Sequence, residues 1–333
     1  MIAPERYMKV ALSLARRQLG QTHPNPSVGA IIVKNGQIIA NGITANGGRP
    51  HAETIALNDA GENAKDADLY VTLEPCSHHG KTPPCINAII RSGIKAVYIS
   101  CRDPNPEVNG AGIESLKKAG IKVIENVCHK EALEINRGFF SVIKKKRPYI
   151  ALKIATSLDE KITNPKGRWL TGEPARNYGH LLRARYDAIL TGSGTVIADD
   201  PFLTCRLRGL EGHSPVRIAL DRNNNIPKSS NIMKQQEIAQ TIIMNDKTLD
   251  EVTRKLAKNG ITRLLVEGGT KLTASFLESG LADRIYWFRA PIIVGENGLS
   301  ISASLSKLAN FKQIENIKLG EDNLEILECS RES

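Results

Sequence analysis

One imidazole and two thiols, His51, Cys76 and Cys85, restrict the folding of this chain more than any other feature. They are the ligand set of a zinc site whose fourth position is left for water, and to act together they must meet at one point. Glu53 stands two residues beyond His51. Positions two apart on a regular helix point about 200° from each other, so His51 and Glu53 converge only where the chain is still entering a helix. Pro50, just before them, suits such an entry. Cys76 follows an apolar, strand-length run and Cys85 opens the next helical segment, where a helix start favours a thiolate. The spacing therefore predicts a fold that brings two helix N-termini and a strand end to one spot.

The rest of the first half supplies those elements. Residues 7–19 read as an amphipathic helix, and 30–33 and 37–40 as a hairpin about Asn35-Gly36. Helices are predicted at 51–60, 85–91 and 113–119, ended by Gly61, Gly93 and Gly120, with strands at 69–73, 97–100 and 121–124. Helices alternating with strands imply a layered α/β domain, and the hairpin makes its sheet mixed. The alternation pauses between Glu131 and Ile143 and at Lys144-Lys145-Lys146-Arg147, which read as a solvated joint. It restarts with a strand at 149–155. A boundary near Lys146 gives domains 1–146 and 147–333, in keeping with a chain of 333 residues. The second half shows a helix at 181–185 and strands at 188–191, 216–220, 264–267 and 284–288. Two of these run into glycine-rich turns, Gly192-Ser193-Gly194-Thr195 and Gly268-Gly269-Thr270, whose N–H groups can approach a phosphate closely. Neither has the G-x-G-x-x-G spacing of a Rossmann fingerprint.

The chemistry follows from the ligands. Zinc makes water a nucleophile near neutral pH, and a glutamate beside it can pass protons from that water to a ring nitrogen and a leaving amine. His-x-Glu followed by two Pro-Cys pairs is the pattern of zinc deaminases. A net charge of +10 invites a nucleic-acid base deaminase with an accessory domain. That alternative calls for Cys-x-x-Cys spacing and stacking aromatics. Here eight residues separate the cysteines and aromatics are 5% of the chain, while phosphorylated small substrates account equally well for a basic surface. A non-catalytic, zinc-stabilised interaction module would need a fourth ligand, for which His78 and His79 are candidates, and would have no use for Glu53. No uncharged apolar run is long enough for a membrane span. The N-terminus lacks a signal-peptide core, and Cys101, Cys128, Cys205 and Cys329 are scattered as ordinary thiols. A cytoplasmic protein that binds neither nucleic acid nor membrane is expected, as a homo-oligomer.

Several motifs carry a closer resemblance. His23-Pro24-Asn25-Pro26, Pro50-His51-Ala52-Glu53, the run from Thr72 to Cys85 and Asp103-Pro104-Asn105-Pro106 resemble the bifunctional riboflavin-biosynthesis deaminase/reductases. In the second half so do Ser157-Leu158-Asp159, Trp169-Leu170-Thr171, the run from Gly194 to Pro201 and Val266-Glu267-Gly268-Gly269. The resemblance implies a cytidine-deaminase-like three-layer α/β/α sandwich followed by a dihydrofolate-reductase-like α/β domain. It implies one Zn²⁺ per chain, held by His51, Cys76 and Cys85, with Glu53 catalytic. It further implies hydrolysis of the 2-amino group of a diaminopyrimidinone ribosylamine 5′-phosphate, then reduction of its ribosyl group by NADPH. Asn25 and Lys81 would contact the deaminase substrate. Ala155, Trp169, Thr171, Thr195, Asp199, Gly269, Thr270 and Leu272 would hold NADPH. Arg183, Leu203, Arg206 and Glu267 would hold the reductase substrate. The chain departs from the family pattern at Thr44, where a histidine is common, at Glu160, where a glycine is common, and at Gly167 and Arg222, where serines are common.

Overall fold

The computed structural model describes residues 3–78, 83–105, 108–164, 167, 169–301 and 308–330. It divides into two compact units, Met1–Lys146 and Arg147–Ser333.

The first unit is built on a five-stranded mixed sheet. β1 (Gly29–Lys34) and β2 (Gln37–Ile43) pair antiparallel. Asn35 and Gly36 between them both have positive φ, 52° and 77°, as the tight turns that match strand twist require. β3 (Asp68–Val71) lies antiparallel to β1, and β4 (Ala96–Ile99) and β5 (Lys122–Ile124) extend the sheet in parallel, in the order β2-β1-β3-β4-β5. Two glycines set the layers. A Cβ on Gly29 would stand 2.0 Å from Ala11 O in α1 (Pro4–Arg17), and one on Gly42 would stand 2.0 Å from Ala52 O in α2 (Ala52–Ala60). Gly42 is paired with Ala30, the neighbour of Gly29, so the two glycines face opposite sides of the sheet. α1 and α2 thus press their backbones onto opposite faces, giving three layers. One core runs through them, with Met8, Leu12, Ile31, Ile32, Leu69 and Ile89 fully buried. α3 (Cys85–Arg91), α4 (Ala111–Lys118) and α5 (His129–Lys145) complete the unit.

α5 corrects the expected pause in the alternation. Its buried face is Ala132, Ile135, Asn136, Gly138 and Ser141, small and polar enough to hide the helical period. Nor is the basic run wholly a solvated joint. Lys144 and Lys145 close α5, and Arg147 forms a two-pronged ion pair with Asp283, at 2.6 and 2.8 Å, with both side chains largely buried.

The second unit has an eight-stranded sheet, β12-β13-β11-β6-β10-β7-β8-β9. β6 (Tyr149–Thr156), β7 (Ala188–Gly192), β8 (Val216–Leu220), β9 (Thr241–Met244), β10 (Arg263–Val266) and β11 (Arg284–Arg289) are parallel. β12 (Phe311–Leu319) and β13 (Asp322–Cys329) add an antiparallel edge. Successive residues alternate between two cores: Ile150, Leu152, Leu190 and Leu264 enter one, and Ala151, Ile189, Ala219 and Leu265 the other. Burial on both faces is what a parallel sheet requires. Val252 and Leu256 of α9 (Leu249–Lys258) and Phe276 of α10 (Thr270–Glu278) cover the first face. Leu182 of α6 (Glu173–Arg185), Val196 of α7 (Ser193–Asp199) and Ile232 of the single-turn α8 (Asn231–Lys234) cover the second.

Candidate active sites

In the first unit the three expected ligands meet. His51 is the N-cap of α2, with extended backbone (φ −72°, ψ 156°), and Glu53 lies in its first turn. Cys76 follows β3, and Cys85 is the first residue of α3. His51 Nδ1 lies 3.3 Å from Cys85 Sγ and 3.6 Å from Cys76 Sγ, and all three donor atoms fall within 4.8 Å of one another. A tetrahedral zinc with ligands at about 2.0–2.3 Å needs donor–donor edges of roughly 3.5 Å, so the donor set fits. Among the described residues this group has no fourth protein ligand. His78 lines the same cleft but is outside the group; His79 and Lys81 lie outside the described residues.

The thiols behave as a pair. A hydrogen bond from Cys85, opposed by burial and helped by His51, pulls the Cys76 thiol down to about 4. The same bond and burial push Cys85 up. Cys85 stands at the helix start expected of it, and its N–H donates to Cys76 Sγ at 3.3 Å, so the start of α3 is turned to both thiols. Glu53 is 4% exposed, and burial, aided by the Cys76 charge, raises its carboxyl to about 6. A carboxyl so placed can take and return a proton near neutrality. His51, Glu53 and Cys76 open on a cleft of about 180 Å³ that Asn25, Thr44, Arg49, Asp103 and Asn105 also line.

Glu74, which the sequence reading passed over, fixes the Cys76 segment. Its buried carboxylate accepts the N–H groups of Asp103, Gly110, Gly112 and Ile113 at 3.1–3.4 Å. A Cβ on Gly112 would stand 2.4 Å from Pro75 O, so the start of α4 is packed directly against the strand end that carries Cys76. An acid inside an otherwise apolar strand-end run was the available signal.

In the second unit the predicted residues gather along the C-terminal edge of the parallel strands, where open α/β sheets bind ligands. Ala155 is the last residue but one of β6, Glu267 and Gly269 follow β10, and Thr195 and Asp199 follow β7. The two glycine-rich turns are helix starts: Gly192 caps α7 and Gly269 caps α10. Gly269 N–H donates to Thr195 Oγ1 at 3.2 Å, joining them. Cβ atoms at Gly192 and Gly194 would meet no protein atom within 4 Å, which leaves backbone N–H groups open to a phosphate-bearing cofactor. Thr195 and Asp199 are four apart on α7 and share a face. Thr270 opens α10, and Leu272 packs into the space that Gly268 leaves. Trp169 is 53% exposed, which excludes a core role, and Arg176 stands 5.6 Å from its ring while donating to Thr171 O at 2.6 Å. Arg222 donates to Asp246 O and Lys247 O, tying the ends of β8 and β9.

Arg183 is a partner and not a surface arginine. It grips both oxygens of Glu267 at 3.0–3.2 Å and donates to Thr204 O at 3.1 Å. Lys153 adds a second cation 3.4 Å from Glu267. Burial would raise the Glu267 carboxyl, but Arg183 and Lys153 hold it at about 2. Lys153 was absent from the sequence reading, although a lone lysine within the apolar β6 run was a legible signal. The segment from Leu203 to Arg206 is placed by His180, whose Nδ1 lies 3.2 Å from Thr204 O and from Arg206 N. Leu203 is buried with φ +55°, a strained setting of the kind found at functional sites.

The two halves match known proteins accordingly. Residues 1–101 match the cytidine and deoxycytidylate deaminase zinc-binding region, and residues 148–324 match the RibD C-terminal domain. The chain is 45% identical to the riboflavin biosynthesis protein RibD of Aquifex aeolicus, over 96% of each sequence. It is 42% identical to the RibD of Bacillus amyloliquefaciens, over 87% of this chain and 85% of that one. Among solved structures, Acinetobacter baumannii RibD superimposes with a TM-score of 0.90 at 36% identity, covering 98% of this chain and 99% of that one. A deaminase/reductase from Thermotoga maritima does so with 0.89 at 37%, covering 98% of each. Fold and site together define a zinc-dependent deaminase joined to an NADPH-dependent reductase. The chain belongs to the RibD family of riboflavin biosynthesis.

Proposed function

We propose that the two activities divide at Lys146. Residues 1–146 hydrolyse the 2-amino group of 2,5-diamino-6-ribosylamino-4(3H)-pyrimidinone 5′-phosphate. Residues 147–333 reduce the ribosyl group of the product to ribityl. The observation that carries this reading is the convergence of His51, Cys76 and Cys85, with His51, Cys76 and buried Glu53 lining one cleft.

Zinc, when held by His51 Nδ1 and the two thiolates, supplies the polarisation that makes water nucleophilic near neutral pH. Glu53 would carry one proton of that water to the ring nitrogen and the second, from the hydroxyl then on the carbon, to the departing amine, so that ammonia leaves and a carbonyl remains. Glu74 keeps Cys76 in place by holding α4 against Pro75. Asn25 orients the substrate from the cleft wall, and Lys81 belongs to the same proposal through the family pattern alone.

NADPH supplies the hydride when bound. The helix starts at Gly192 and Gly269 offer N–H groups to its phosphates, with Thr195, Asp199, Thr270, Ala155, Trp169 and Thr171 beside them and Leu272 supporting the Gly268 turn. Arg183 and Lys153 fix the Glu267 carboxylate so that it can accept hydroxyl hydrogens of the sugar, and Arg206 and Leu203 complete the substrate wall. No helix among the described residues is long and apolar enough to cross a membrane. A cytoplasmic homo-oligomer acting on small molecules and not on nucleic acid completes the proposal.

The test is a coupled assay with the diaminopyrimidinone phosphate and NADPH. Glu53→Gln should retain zinc yet lose ammonia release by more than the ~10²–10⁴ typical of one acid–base group, because Glu53 serves several transfers. It should still oxidise NADPH on the deaminated intermediate. Cys85→Ser should lose most of its zinc. Wild-type ammonia release by Glu53→Gln, or full zinc retention by Cys85→Ser, would overturn the assignment.

A further inference from the structure

We propose that Arg49 is the phosphate-binding residue of the deaminase cleft and the source of its preference for a phosphorylated substrate; the inference rests on the deaminase reading above. The cleft is lined by three acids, Glu53, Glu74 and Asp103. A phosphate ester entering among them needs a cation held at a fixed place. Among the described lining residues Arg49 is the one arginine, and there is no lysine.

Its backbone is well fixed. Gly48, just before it, has φ +87° and sits so close to Asn25 that a Cβ would stand 2.5 Å from Asn25 Cβ. Asn25 Nδ2 donates to Gly48 O at 2.8 Å, and Gly48 N–H donates to Ala45 O at 2.8 Å. The turn is closed by Ala45 N–H on Pro50 O at 3.0 Å. The arginine thus leaves a braced turn two residues before His51, and it lines the same cleft.

The depth of the residues gives a direction. Glu53 is buried at the reacting end, whereas Arg49 is half-buried. A ring reacting beside Glu53 would leave its ribose phosphate toward the solvent side, within reach of a guanidinium whose fork matches phosphate oxygens. Thr44, the departure from the family pattern on this wall, cannot take that role. It is 2% exposed, and its hydroxyl accepts Val28 N–H at 3.0 Å and lies 3.4 Å from Val28 O. Arg49 therefore supplies the charge on this side of the cleft.

The test compares ammonia release from the 5′-phosphate substrate and from its dephosphorylated ribonucleoside, using the full zinc-loaded chain. Arg49→Gln should raise KM for the phosphate ester about tenfold or more with little change in kcat, and the preference for phosphate over ribonucleoside should fall by the same factor. Arg49→Lys should recover part of it. Inorganic phosphate, titrated by calorimetry, should bind the wild type and bind Arg49→Gln at least about tenfold more weakly. An equal loss on both substrates would mean that Arg49 acts through His51. An undiminished phosphate preference in Arg49→Gln would place the contact elsewhere, with Lys81 the next residue to vary. Either result overturns the proposal. If the wild type released no ammonia from either substrate, the deaminase reading would fail, and the phosphate titration would still decide the role of Arg49.

Discussion

Glu160 shows how one residue can be at odds with its backbone. It sits at φ +60° in the turn that Ser157 O closes by accepting Glu160 N–H at 3.2 Å. A side chain there pays the steric cost of the left-handed region, roughly 1–2 kcal/mol, which glycine avoids. Glycine is also the residue that the family pattern carries at this point, so the departure seen in the sequence has a physical expression. Glu160→Gly should stabilise the chain by up to about 1 kcal/mol, because strain relief exceeds the added freedom of the unfolded chain. Chemical denaturation of the second unit measures it, and a clear destabilisation would show that the glutamate side chain contributes more than its backbone costs. Leu203, at φ +55°, differs because its side chain fills the core. There a glycine would relieve the backbone and leave a cavity, and the loss of packing would dominate.

At the scale of elements, ion pairs tie the strand ends that line the proposed reductase site. Glu267 follows β10 and is gripped by Arg183 of α6 and Lys153 of β6. Its carboxyl is held at about 2, below its ordinary 4.5. A depressed carboxylate stabilises the fold fully above its unfolded value and loses that contribution as pH falls through the folded one. The second unit should therefore lose on the order of 3 kcal/mol between pH 4.5 and 2 through this residue. Glu267→Gln should flatten the denaturation profile across that window, and an unchanged slope would rule the residue out as the source. Elements were legible in the sequence where burial leaves a periodic trace. The strand at 216–220 and the helix at 85–91 were read with the bounds they have. α5 was not, because Asn136, Gly138 and Ser141 face its core. β12 was not, because it is an exposed edge strand whose register shifts between Gln313 and Glu315 and breaks the alternation. α9 carries a start legible in the sequence, the Thr248–Glu251 capping box. The zinc ligands were legible because their chemistry admits few alternatives. Lys153 and Glu74 leave a trace as charged residues in apolar runs, but their roles are not legible, because these depend on partners far along the chain.

For the whole molecule, the decisive fact is that each unit closes its own sheet over its own core. The first has one core around a five-stranded sheet, and the second has two, one on either face of an eight-stranded sheet. The zinc ligands are all in the first unit, and the helix starts that would meet NADPH are all in the second. A ligand that binds only a folded unit stabilises that unit by mass action, about 2.7 kcal/mol at a hundredfold excess over Kd. Metal binding is likewise coupled to folding through the deprotonated ligands it requires. Calorimetric unfolding of the full chain should therefore show two transitions. Chelation of zinc should lower one and leave the other in place, and saturating NADPH should raise only the second. Cys85→Ser should reproduce the effect of chelation, and Glu53→Gln should not. A single transition that moved with both ligands would show instead that the two sites share one cooperative unit, so that loss of zinc would also weaken the binding of NADPH.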